Sequence, residues 1–199
     1  MSHNTLHIFN NSISNTTRLF KEVAFVKKRK ICTRVVVIGL WEPGYEIEQV
    51  TEDGLEIKRK PTFLSKTHPS SFVRRVALLR KFIAALSLIQ YASACILTAR
   101  RMNADHVSCH NALMLPIAWA AAKLCNASLE YLPHELEVAR SGLEGFEKRL
   151  TVFFERAFIR AARNVVVINE PYRKWYQSAY NLSNLHVVRN VPEQIATQR

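Results

Sequence analysis

Glycine is scarce in this chain: five residues in 199, at Gly39, Gly44, Gly54, Gly142 and Gly145. No spacing among them makes the GxGxxG loop that lets backbone approach a pyrophosphate at a helix N-terminus. Gly39 and Gly44 are separated like the glycines of a P-loop, but Tyr45-Glu46 stand where the essential Lys-Ser/Thr belong. Cysteine is equally sparse. Cys32, Cys95, Cys109 and Cys125 are widely and irregularly spaced, which excludes a disulfide framework and a CxxC site and fits a reducing compartment. The segment from Met1 to Thr17 is polar and lacks the basic and apolar regions of a signal peptide. Acidic residues are also few, 16 against 28 Lys+Arg, for a formal charge of +12.

That imbalance is concentrated. Residues 1–100 hold 16 basic and 7 acidic side chains; residues 101–199 hold 12 and 9. Four clusters stand in the first half: Lys27-Lys28-Arg29-Lys30, Lys58-Arg59-Lys60, Arg74-Arg75 and Arg80-Lys81. Such a field attracts polyanions, whether phosphorylated substrates, anionic membrane or nucleic acid. A specific nucleic-acid partner is not expected, because no recognisable module and no aromatic platform accompanies the charge.

Hydrophobic residues make up 48% of the chain, ample for a core in one domain of ordinary size. Phe82 to Ala99 carries no charge and is flanked by Lys81 and Arg100-Arg101. Its length is at the lower edge for a membrane span. However, it contains Ser87, Gln90, Tyr91, Ser93 and Thr98, so we read one long helix over 70–103, basic in its first half and buried in its second.

Strand-like and helix-like runs alternate throughout, the mark of a parallel α/β sheet. Strands are expected at Leu6–Phe9, Arg34–Leu40, Leu55–Lys60 (at an edge), Asp105–His110, Ser128–Leu132, Asn164–Asn169 and Leu185–Arg189. Helices are expected at Thr17–Lys30, over the long apolar run, at Leu113–Leu124, after a capping box of Ser141 and Glu144, and from Pro171 to Tyr180. The fourth of these helices carries an apolar stripe of Phe146, Leu150, Phe153, Phe154, Ala157 and Ala161. The fold class is α/β: a single Rossmann-like, doubly wound, mostly parallel sheet with helices on both faces.

In an open α/β sheet, ligands bind outside the C-terminal ends of the strands. Polar residues cluster there four times: Asn10-Asn11-Ser12, His110-Asn111, His134-Glu135 and Asn169-Glu170. Each alone is ordinary turn chemistry; four in one sheet, two with histidine, suggest a cleft. Metal sites are disfavoured. His134-Glu135 opens like a zinc-protease helix, but Val138 replaces the second His, and Cys109 on a strand points away from His106 and His110.

The ordered set of segments resembles the N-terminal domain of GT-B glycosyltransferases, specifically the family 4-like group. Ser14 to Glu22 (SNTTRLFKE) resembles its first-helix pattern; His110-Asn111 resembles its His-Asp; His134-Glu135-Leu136 resembles its His-Glu-Leu. Phe154-Glu155-Arg156 with Ala161 to Asn169 resembles a helix–strand pair of that group, and Val188 to Pro192 resembles the RN-x-P segment where the first domain hands over to the second. Two departures stand out: Asn111 where Asp is common, and a first loop without paired glycines.

The resemblance implies residues 1–193 as one Rossmann-like domain, 194–199 as the start of a linker, and a C-terminal donor-binding domain not included. It implies transfer from a nucleotide sugar, which is a substrate and not a cofactor, to a glycan or lipid-linked acceptor, with retention, the fragment alone being inactive. His134 would be catalytic, facing the donor sugar and phosphates. His110, Asn111, Glu135, Asn10, Asn11, Ser12 and Asn190 would bind substrates. No metal is implied. Lys27, Lys28, Arg29, Lys30, Arg74, Arg75, Arg80 and Lys81 would dock on an anionic membrane, placing the protein peripherally on the cytoplasmic membrane's inner face. The alternatives are a non-catalytic, membrane-recruiting subunit of a split enzyme and a basic nucleic-acid-binding domain. A Rossmann oxidoreductase or methyltransferase is disfavoured, because no Gly-rich loop follows Ile8-Phe9.

Overall fold

The computed structural model describes residues 3–14, 17–66, 77–139 and 144–189. Eight strands form one sheet in the order β3-β4-β2-β1-β5-β6-β7-β8. They are β1 (His3–Ile8), β2 (Cys32–Leu40), β3 (Glu48–Val50), β4 (Glu56–Lys60), β5 (His106–Cys109), β6 (Ser128–Tyr131), β7 (Asn164–Val167) and β8 (Leu185–Val187). All neighbours pair parallel except β3 with β4. The helices are α1 (Thr17–Lys28), the short α2 (Phe63–Lys66), α3 (Ala77–Arg101), α4 (Leu115–Cys125), α5 (Gly145–Phe158) and α6 (Glu170–Tyr180). The anticipated order of elements holds, with β3 and the short α2 added.

Alternation along each strand sorts side chains between two faces. Val35 and Val37 of β2 pack with Leu19 and Val23 of α1. Val36 and Ile38 point the other way, into the larger core with Tyr91, Cys95 and Ala99 of α3. Right-handed crossovers put α1 on one face and the helices after the reversal of strand order on the other. Where a second helix might cover the α1 face, β2 reaches β4 through the hairpin strand β3. Among the described residues α1 therefore covers that face alone, while α3, α4, α5 and α6 crowd the opposite one.

Several boundaries differ from the sequence reading. β4 is not an edge strand: the three-residue, polar β3 pairs outside it, too short to show a period. Helix α1 ends at Lys28, and Lys30 turns the chain with φ of 54°. Only the part of the long helix from Ala77 onward is described. Its buried stripe of Ser87, Tyr91, Cys95 and Ala99 repeats every four residues, whereas Leu97 is exposed. The second half is thus buried along one stripe and not all round. Lys81–Arg101 is long and apolar enough to cross a membrane by length and composition, but Tyr91 donates its hydroxyl to the carbonyls of Phe9 and Ile38, which ties the helix to the sheet.

The capping box fails on geometry. Ser141 lies outside the described residues, and Glu144 itself is the N-cap of α5, without a side-chain cap bond. The anticipated stripe on that helix is also rotated: Phe146, Phe153, Ala157 and Ala161 are exposed, and Thr151, Glu155 and Ile159 are buried. The cause is a carboxylate. Glu155, fully buried, accepts hydroxyl hydrogen bonds from Tyr131 (2.7 Å), Tyr176 (2.9 Å) and Tyr180 (2.6 Å). Burial, reinforced by this carboxylate, pushes all three phenols above their ordinary range. One side chain of α5 thereby ties α5 to β6 and α6. A buried acceptor bonded three times is stable; three buried hydroxyls without it are not. Glu155→Leu is expected to cost roughly 3–5 kcal/mol, read by urea unfolding, with a larger loss than Phe153→Leu on the exposed side.

Candidate functional site

Strand order reverses between β1 and β5, the place where an open α/β sheet leaves a crevice. Register brings the strand ends level: Ile8 pairs with Cys109, and Cys109 with Tyr131. The residues that follow are therefore neighbours. Leu132 N–H donates to Cys109 O at 2.8 Å, which carries the β6 exit alongside His110 and delivers His134 to it.

Three imidazoles stack there in a row. His7 Nδ1 lies 3.0 Å from His110 Nε2, and His110 Nδ1 lies 3.2 Å from His134 Nε2. The His110 centroid is 5.3 Å from each of the other two. Phe9 lies flat on His110, centroids 4.0 Å apart and planes 12° from parallel. His7 and His110 are buried, and His134 is half-buried at the rim. Burial holds His7 down at about 4, although Glu130 pulls the other way. The sequence pattern does not mark His7 as a site residue. It sits mid-strand between apolar neighbours, and nothing local announces a partner 103 positions away.

The β1 loop closes over this edge. Asn10 is half-exposed and Asn11 exposed; Asn11 Oδ1 accepts from Ile13 N–H at 3.0 Å, and its carbonyl accepts from Leu40 N–H at 2.9 Å. That approach needs Gly39. A Cβ there would collide with the Asn11 carbonyl oxygen and meet the Ile13 side chain at 2.6 Å. Ser12 is buried, and its carbonyl accepts from Arg59 Nε at 2.8 Å. Asn11 and Asn10 thus face the rim, while Ser12 belongs to its foundation.

Asn111 is buried as well. Its Oδ1 accepts from Leu113 N–H at 2.9 Å and caps the turn leading into α4; its amide donates to buried Glu137 at 2.9 Å. An amide at position 111 can donate to that carboxylate, which an ionised Asp could not. Glu135 is exposed beside His134. Asn169 caps α6 by accepting from Tyr172 N–H at 2.8 Å, and Glu170 pairs with Arg173. Asn190 lies outside the described residues. Cys109 faces the opposite core, donating to Asn111 O at 3.2 Å, and burial pushes its thiol up to about 12; it is not beside the histidines. Among the described residues no group of three or more His, Cys, Asp or Glu has the geometry to hold a metal ion.

The basic clusters do not form one surface. Lys28, Arg29 and Lys30 are exposed just before β2 begins, at the N-terminal edge of the sheet and on the α1 side. Lys81 is exposed near the start of α3, on the opposite face and past the C-terminal edge. Lys27 and Arg80 lie in these helices without described side chains, and Arg74 and Arg75 lie outside the described residues. Arg59, counted in a cluster, is buried: it stacks on Tyr45 and donates to backbone carbonyls of Ser12 and Glu46. Its charge joins the β1 loop to the hairpin.

No family model matches the chain, and no curated protein is similar enough to count as a relative. Solved structures share its fold. Sucrose-phosphate synthase from Thermosynechococcus elongatus is 11% identical with a TM-score of 0.65, the match covering 94% of this chain and 48% of that one. UGT89C1 from Arabidopsis thaliana, solved with UDP-L-rhamnose, is 11% identical with a TM-score of 0.60, covering 98% and 54%. Os79 from O. sativa, solved with UDP, is 11% identical with a TM-score of 0.57, covering 94% and 51%. The chain spans about half the length of these proteins. Its fold is the Rossmann-like half of a GT-B architecture.

The low value of His7 sets a pH dependence. The unfolded chain, near 6.5, binds a proton that the folded protein refuses until about 4. The contribution is complete above the unfolded value and is lost as pH falls from about 6.5 toward 4. Urea unfolding of the protein is expected to show a His7 contribution of about 2 kcal/mol lost between pH 7 and pH 5. In His7→Asn that part of the slope should vanish.

Proposed function

We propose that the chain is the acceptor-side half of a nucleotide-sugar-dependent glycosyltransferase, with His134 acting at the point of transfer. The observation that carries this reading is the convergence of His110, His134 and the Asn10-Asn11 loop on the switch-point edge of a GT-B fold. Glycosyl transfer passes through an oxocarbenium-like state with a departing nucleoside diphosphate, so it needs positioned donors more than a metal. The half-buried His134 imidazole, braced by His110 and Phe9, presents such a group at the rim. Asn10 and Asn11 add amides beside it, and Glu135 stands next to an incoming acceptor hydroxyl. Asn190 belongs to the hand-over segment toward a second, donor-binding domain, which this reading requires for activity. Retention of stereochemistry and a glycan or lipid-linked acceptor at a cytoplasmic membrane surface complete the proposal.

The start of α3 favours the lipid-linked acceptor. Tyr91 is anchored level with the ends of β1 and β2. Lys81 stands ten residues earlier, about 15 Å further along the helix. Phe82 (61% exposed), Leu88 (46%) and Ile89 (63%) are bare on that projecting stretch, beside Phe63 of α2 (53%). An apolar helix end with a cation, on the same edge as the histidines, suits shallow insertion between headgroups. Lys28 to Lys30, at the other end, take no part in that contact.

Two experiments test the reading. In the protein carrying this domain together with its donor-binding half, transfer of radiolabelled sugar to lipid-linked acceptor should fall roughly 100-fold or more in His134→Ala; undiminished transfer would refute the role of His134. In co-sedimentation, Phe82→Asp/Ile89→Asp should lose binding to anionic vesicles at least about 10-fold. Equal binding of the unaltered chain to neutral and anionic vesicles would remove the electrostatic part of the docking.

A further inference from the structure

Between α1 and the sheet lies a cavity of about 190 Å³, on the face that α1 alone covers among the described residues. Its walls are unusually polar for the underside of a sheet, because β1, β5 and β6 alternate His-Thr-His, His-Ser and Ser-Glu toward that side. His7 lines it at one end. The titratable groups facing His7 from the surrounding elements are His3, Cys32, Glu22, His106 and Glu130, with His110 on its other side. Ser108, paired in register with His7, is 1% exposed and lines the same cavity, and its hydroxyl has no hydrogen-bond partner. A buried polar atom aimed into a polar space of that size marks a place for water.

We propose that His7, His110 and His134 form a proton relay between the rim and this cavity. The contacts allow two self-consistent neutral states and few others. In one, every ring carries its proton on Nε2: His134 donates to His110 Nδ1, His110 donates to His7 Nδ1, and His7 Nε2–H serves the cavity. In the other, every ring carries its proton on Nδ1, and both inter-ring bonds reverse. A proton arriving at His134 Nδ1 drives the Nε2 proton onto His110 Nδ1. The His110 Nε2 proton then moves to His7 Nδ1, and His7 releases its own Nε2 proton into the cavity toward water, Ser108 and Glu130. One proton enters and one leaves, with each ring neutral before and after. The reverse passage returns a proton to the rim. No nitrogen moves and no chain segment opens; the two ends of the row exchange a proton through three rings whose successive centroids lie 5.3 Å apart. The relay goes beyond the sugar-transfer reading and stands without it.

Imidazole nitrogen and proton correlations in protein labelled with ¹⁵N-histidine test this directly. In the unaltered protein at neutral pH, the three rings are expected to share one tautomer, all Nε2–H or all Nδ1–H, and to change together. Adjacent rings held in opposite tautomers would overturn the relay. In His7→Asn and in His110→Phe, each verified as folded by thermal unfolding, the His134 midpoint is expected to move by about one pH unit, although residue 7 does not touch His134. An unmoved midpoint in both would equally overturn it. If neither variant folds, the tautomer pattern of the unaltered protein decides. Since no readout is an activity, failure here leaves the transfer assay of His134→Ala unaffected, and the converse holds.

Discussion

Everything at the candidate site depends on parallel register between strands far apart in sequence. Thr5 lies opposite His106, Ile8 opposite Cys109, and Cys109 opposite Tyr131. Because all three strands run the same way, their C-terminal ends finish on one edge, and whatever follows each strand must emerge there. A slip of one residue would send His7 into the apolar core and Leu6 to the polar side. The row of imidazoles is therefore a consequence of backbone pairing, and Phe9 stacked on His110 closes it from the side.

The two faces of the sheet serve different ends. Four helices bury the first, and the deepest contact there is polar: Glu155 held by three tyrosines. Such a network is tolerable because every member is satisfied. The second face, relieved of a helix by the β3 hairpin, keeps only α1 among the described residues. Its polar strand residues and its cavity lie under that single cover. A fold usually described by its symmetry is lopsided in this chain, and the lopsidedness gives His7 access to a polar space.

Charge follows the same division. The net charge of +12 does not gather on one patch. Lys28 to Lys30 lie at the N-terminal edge beneath α1, Lys81 lies beyond the C-terminal edge on α3, and Arg59 is spent inside, fastening the β1 loop to its neighbours. A count of basic residues overstates what is available to a partner. Clusters separated along the chain reach a common surface only where the topology takes them to the same end and the same face.

The amino-acid sequence by itself determined the alternation of strands and helices, the doubly wound class and the polar strand ends, because these depend on local period and on a few punctuating residues. RVVVIGL reads as a buried strand wherever it is placed, and Asn169 before Pro171 starts a helix without outside help. His110 and His134 were legible as strand-end residues for the same reason. Which residues meet was decided only by the tertiary structure. His7 joins the row through pairing across 103 positions, Glu155 turns α5 so that Phe146 and Phe153 face outward, and Asn111 becomes a cap bonded to Glu137. In each case a long-range hydrogen bond to a buried group outweighed the local pattern, since leaving a buried carboxylate or imidazole unpartnered costs more than exposing an apolar side chain.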